Sequence, residues 1–137
     1  MSGVLVVAET RRGELREVSL ELIGAALSVK DAAGGRLQVA VIDHEPQRHA
    51  QALSAEGVDE VLLVTAPDEH FEAHVAQRAL AELIGSEQPD LVLLGHTIDA
   101  LGFGPAVAAS LAPEELQRRF QFATAISNAC RHMARLP

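Results

Sequence analysis

Four short stretches of the chain are almost wholly apolar: residues 4–8, 37–42, 61–64 and 91–94. They are rich in Val, Leu and Ile, and none alternates with polar residues. Strands buried on both faces have this pattern, which marks a parallel sheet covered by helices. The segments between them have the length and periodicity of helical crossovers. In the first, Ser19 is the expected N-cap, Glu21 lies in the first turn, and Leu20, Ile23 and Leu27 recur at helical spacing before Gly34-Gly35. The second is expected to begin near Pro46, turn Ala50 and Leu53 inward and stop at Gly57. The third carries Ala76, Leu80, Leu83 and Ile84 on one face and closes at Gly85. A fourth is expected to start at Gly104-Pro105 and run through Val107, Ala108 and Leu111. The alternation of four strands with four helices predicts an open α/β sheet with right-handed crossovers.

The pattern changes after Leu111. Residues 113–137 carry Arg118, Arg119, Arg131 and Arg135 against Glu114 and Glu115, whereas the whole chain has a net charge of −8. Pro113-Glu114-Glu115 is a good helix start. Leu116, Phe120 and Ala123 would lie on one face of that helix, and Phe122, Ile126 and Cys130 on another. The expected organisation is a domain over residues 1–111 followed by a divergent helical tail over 112–137.

The 137 residues suffice for one domain with a core of its own. Lys and Arg number 11 against 19 Asp and Glu, a balance that repels phosphate backbones and disfavours nucleic-acid binding. Trp and Tyr are absent and there are four Phe, which leaves little for base or flavin stacking. The one cysteine, Cys130, excludes an internal disulfide and fits a reducing, cytoplasmic setting. No apolar run approaches the roughly 20 residues of a membrane helix, and the N-terminus lacks the order of charges of a signal peptide.

Open α/β sheets bind ligands at the carboxyl ends of their strands. The first such end, residues 8–13, contains neither G-x-G-x-x-G nor a P-loop, so a classical dinucleotide or P-loop site is not expected. The fourth ends in Gly95-His96-Thr97, with Gly102-Phe103-Gly104-Pro105 beyond it. Gly95, His96 and Thr97 are the weak cofactor-binding candidates, since free N–H groups at a helix start there could hold a phosphate or carboxylate. A tight turn is the alternative reading. His70 and His74 are four apart beside Asp68, Glu69 and Glu72, but H-F-E-A-H lacks the base of H-E-x-x-H. A solvated acidic helix start accounts for them, and tight zinc binding is not expected. Asp43 and His44 at the second strand end read as loop polarity. No serine lies in a G-x-S-x-G elbow, and Cys130 reads as a packed apolar residue. No catalytic residue and no metal site emerge.

Several stretches together resemble the N-terminal domain of the electron transfer flavoprotein alpha subunit. They are Val4-Leu-Val-Val-Ala-Glu9, Gly13-Glu-Leu15, Ser19-Leu-Glu-Leu-Ile-Gly-Ala-Ala26, Gly57-Val-Asp-Glu-Val-Leu-Leu-Val64, Pro89-Asp-Leu-Val-Leu-Leu-Gly95 with Thr97, and Pro105-Ala-Val-Ala-Ala109. The resemblance spans residues 3–111 and rests on order and spacing. It implies a Rossmann-like, adenine nucleotide alpha hydrolase-like sheet of four parallel strands in the order 3-2-1-4, with helices on both faces. It also implies a scaffold domain in a heterodimeric electron carrier, packed against a beta subunit and served by acyl-CoA or other dehydrogenases. In that family FAD is held mostly by a C-terminal domain, which nothing after Leu111 resembles. A truncated or partial alpha subunit without FAD of its own is therefore the expectation, from a shortened gene or as a free-standing short relative. Ala100, Leu101 and Gly102 replace a Gly-Arg-Asp stretch common in the family, and Ala106 replaces an Arg. A universal-stress-like nucleotide-binding domain is the alternative, although Ile98 stands where its G-x2-G-x9-G-[ST] signature needs a second Gly. An inactive gene remnant is the third possibility.

Overall fold

The computed structural model describes residues 3–110. In chain order the elements are β1 (Val4–Ala8), β2 (Thr10–Arg11), β3 (Glu14–Leu15) and α1 (Glu17–Val29), then β4 (Leu37–Asp43). A 3-10 turn (Pro46–His49) leads into α2 (Ala50–Leu53), followed by β5 (Glu60–Thr65), α3 (Ala73–Glu87), β6 (Leu91–Leu93) and α4 (Ile98–Ser110). The tail helix expected from residue 113, and Cys130 with it, lie outside the described residues.

β5, β4, β1 and β6 form one sheet in that order, and every pairing in it is parallel. In terms of the four apolar runs this is the order 3-2-1-4. β2 and β3 form a small antiparallel hairpin directly after β1, which the sequence pattern did not signal. Its turn places Arg12 and Gly13 at φ of 52° and 77°.

β1 is buried along its whole length because both of its faces are covered. Val4 and Val6 join Val39, Ile23, Ala26 and Leu53 on the α1 side. Leu5 and Val7 join Leu80, Ile84, Phe103 and Val107 on the α3–α4 side. Gly3 locks the start of β1 between its neighbours. Its carbonyl accepts from the N–H of Asp90 at 2.8 Å, and a Cβ there would lie 2.6 Å from the Arg36 carbonyl oxygen. Only glycine fits that approach at a φ of +144°.

The helices depart from the sequence expectations at their ends. α1 begins at Glu17 with Arg16 as N-cap, so Ser19 is inside its first turn. Its buried residues are Ser19, Ile23 and Ala26, whereas Leu20 and Leu27 face outward. The second crossover is a 3-10 turn and one turn of helix, and its C-cap is Ser54. Gly57 is left-handed at φ +91°, but in the turn that leads to β5. α3 runs past Gly85 to Glu87, with Gln88 in the left-handed conformation closing it. α4 starts at Ile98, seven residues before Pro105, which lies inside the helix.

Candidate functional site

The early start of α4 has a visible cause. Thr97 Oγ1 accepts the N–H of Ala100 at 3.1 Å, and its carbonyl accepts the N–H of Leu101 at 2.9 Å. Thr97 thus caps the helix, and the unpaired N–H groups expected at residues 102–105 are instead at the turn after β6. The same hydroxyl donates to Glu9 Oε2 at 2.7 Å. The end of β1 is thereby tied to the start of α4, on either side of the point where the strand order reverses.

Glu9 is held from α1 as well. The buried Ser19 hydroxyl accepts the N–H of Glu9 at 2.8 Å and donates to its carbonyl at 3.0 Å. Arg16 Nε lies 3.8 Å from Glu9 Oε1, beyond hydrogen-bond reach, so this buried oxygen has no hydrogen-bond partner. Gly95 makes room for the carboxylate, since a Cβ there would lie 3.4 Å from Glu9 Oε2 and 3.1 Å from Val18.

A second polar junction forms at the end of β4. Asp43 Oδ1 accepts from Thr10 Oγ1 at 3.0 Å, which anchors the β2–β3 hairpin. Asp43 Oδ2 lies 3.3 Å from Nε2 of the buried His49. Asp43, read from sequence as loop polarity, is therefore a structural tie between three elements.

Between these junctions lies a cleft of about 330 Å³ above the carboxyl ends of the strands. Its floor includes Val7, Ala8 and Leu94, and Phe71 and Phe103 form one apolar wall with ring centroids 6.1 Å apart. Glu9, Asp43, Asp68, Glu69, Glu72 and Asp99 line it, against Arg11 and Arg12. Of the three residues singled out at the fourth strand end, Gly95 lines the cleft and Thr97 holds Glu9 from behind. His96 is exposed and takes no part in the lining. His70 reaches the cleft from the loop before α3, whereas His74 is on the helix and pairs with Glu72 at 3.1 Å. The two are therefore not one helical turn apart. Among the described residues no group of three or more His, Cys, Asp or Glu gathers around a metal position.

The donor set does not fit FAD. A pyrophosphate needs converging N–H groups or cations, and here carboxylates flank both helix starts at the cleft: Glu9 and Asp99 at α4, whose Thr97 cap is already in use, and Glu72 at α3.

Residues 4–113 match the family model described as "Electron transfer flavoprotein domain". The chain belongs to this family. It is 41% identical over 109 residues to the electron transfer flavoprotein subunit alpha of Methylophilus methylotrophus, covering 80% of the chain and 34% of that relative. Identity to the subunit alpha of Clostridium acetobutylicum is 32% over 112 residues, covering 80% and 33%. The acryloyl-CoA reductase electron transfer subunit beta of Anaerotignum propionicum is 29% identical over 109 residues, covering 79% and 30%. The chain thus spans about a third of the length of these relatives. The electron transfer flavoprotein domain accounts for every described strand and for α4. Among the described residues no helix is long and apolar enough to cross a membrane.

Proposed function

We propose that this chain supplies the scaffold domain, residues 1–111, of an electron transfer flavoprotein alpha subunit. In this reading it docks onto a beta subunit in the cytoplasm and holds no flavin of its own. The observation that carries it is the family match over residues 4–113, with alpha subunits among the relatives that align. The acidic cleft supports placing FAD elsewhere in the complex. The assembled carrier would take electrons from acyl-CoA or other dehydrogenases and pass them to a downstream acceptor, and this chain's part is structural.

The test is to co-express the chain with its cognate beta subunit and to titrate FAD while following flavin fluorescence. The expected result is a stable complex and no saturable quenching by the isolated chain. Failure to associate would refute the docking role. Stoichiometric quenching by the chain alone would refute the placement of the flavin.

A further inference from the structure

The hydrogen-bond register leaves β5 with an open edge. The N–H of Val4 on β1 bonds the Arg36 carbonyl, so even-numbered residues around β4 serve β1 and its odd-numbered residues serve β5. Consistently, the Asp43 carbonyl accepts the N–H of Ala66 at 2.8 Å. On β5, then, residues 60, 62 and 64 turn toward β4. Val61, Leu63 and Thr65 aim their N–H and C=O groups away from the sheet, and among the described residues β5 pairs with β4 alone.

Natural sheet edges are blunted by lysine, proline, bulges or inward charges. β5 reads Glu-Val-Leu-Leu-Val-Thr and has no lysine or proline. Leu63, at its centre, is 41% exposed. The occupant that fits this edge is the same strand of a second copy. With a two-fold axis through Leu63, that residue faces Leu63 of the second copy, and Val61 faces Thr65. All three outward-facing residues then sit in hydrogen-bonded pairs, each exchanging two N–H···O bonds. Leu62 falls opposite Val64 and Glu60 opposite Ala66, so no carboxylates oppose each other. A register centred on Leu62 would leave Thr65 outside the ladder and is poorer.

We propose that β5 is a self-complementary docking edge through which two copies of this chain join their sheets antiparallel about Leu63.

The test uses the full chain with Cys130→Ser, which removes its one thiol. Hydrogen-bonded antiparallel pairs set Cα atoms about 5.5 Å apart, within the span of a short thiol-to-thiol bismaleimide. Leu63→Cys should therefore cross-link to a covalent dimer with that reagent. Leu20→Cys, on the exposed side of α1, should not. Sedimentation should give a dimer for the chain without added cysteines, and Leu63→Lys should abolish it with an unchanged circular dichroism spectrum. A monomer at every concentration overturns the proposal, as does a dimer that Leu63→Lys leaves intact. Slow amide exchange at Val61, Leu63 and Thr65 in a monomer would overturn it too, by showing that the chain itself covers the edge.

Discussion

Asp59 shows how an exposed side chain can be held by its setting. Its Oδ2 accepts the N–H of Leu37 at 2.8 Å and lies 3.0 Å from Lys30 Nζ. The backbone bond from Leu37 is the first cause, and the Lys30 bond the second, of a carboxyl held below its ordinary value of 3.8. Burial opposes the shift, and the charges of Lys30 and Arg36 add to it by less than either bond. A carboxyl whose pKa is lower folded than unfolded stabilises the fold above the unfolded value, and that contribution is lost as pH falls through the folded value. Asp59→Asn should therefore lower the melting temperature by a constant amount between neutral and mildly acidic pH. The gap to the unsubstituted chain should close as pH drops below 3.8. Thermal melts across that range check this, and a gap that widens on acidification would show that the carboxylate is not stabilising. Ser19 carries a related lesson. Its hydroxyl is spent on the backbone of Glu9 rather than on a helix end, so a residue with N-cap chemistry became a tertiary tie.

Among the elements, α4 depends most on one side chain. Thr97 both caps the helix and donates to the Glu9 carboxylate. Thr97→Val keeps the shape and removes both bonds. It should cost about 1–3 kcal/mol, since a lost cap and a lost hydrogen bond to a charged group fall in that range. Thr97→Ser should restore most of it. Urea unfolding of the three proteins gives the comparison, and equal midpoints would show that the turn after β6 holds α4 without the hydroxyl. The strands were legible in the sequence because burial on both faces leaves no room for polar residues, as in Val4–Ala8. The helix starts were not. Pro105 imitates a first-turn proline, yet the Thr97 cap fixes the start at Ile98 and places the proline in the helix. The hairpin after β1 also escaped, because two residues per strand are too few to show a period. The site was least legible. Glu9 and Asp43 come from separate strand ends, and parallel pairing of β1 with β4 is what brings them to one cleft.

For the whole molecule, charge decides between the two nucleotide-related readings of this fold. A stress-protein-like domain would hold the phosphates of AMP or ATP at the strand ends, where the cleft lies. That cleft has six carboxylates against two arginines, within a chain of net charge −8. A helix N-terminus supplies the equivalent of only about half a positive charge. Asp99 in the first turn of α4 and Glu9 beside its Thr97 cap already face that charge. Long-range repulsion alone would be removed by salt, because raising ionic strength from about 0.1 to 1 M shortens the screening length from roughly 10 to 3 Å. Repulsion at contact distance would survive. AMP and ATP titrated to about 1 mM should therefore give no saturable calorimetric signal at either salt concentration. Saturable binding at high salt alone would locate the barrier in the overall charge rather than in the cleft. Saturable binding at low salt would overturn the scaffold reading, because it would require Arg11, Arg12 and the start of α4 to outweigh the carboxylates around them.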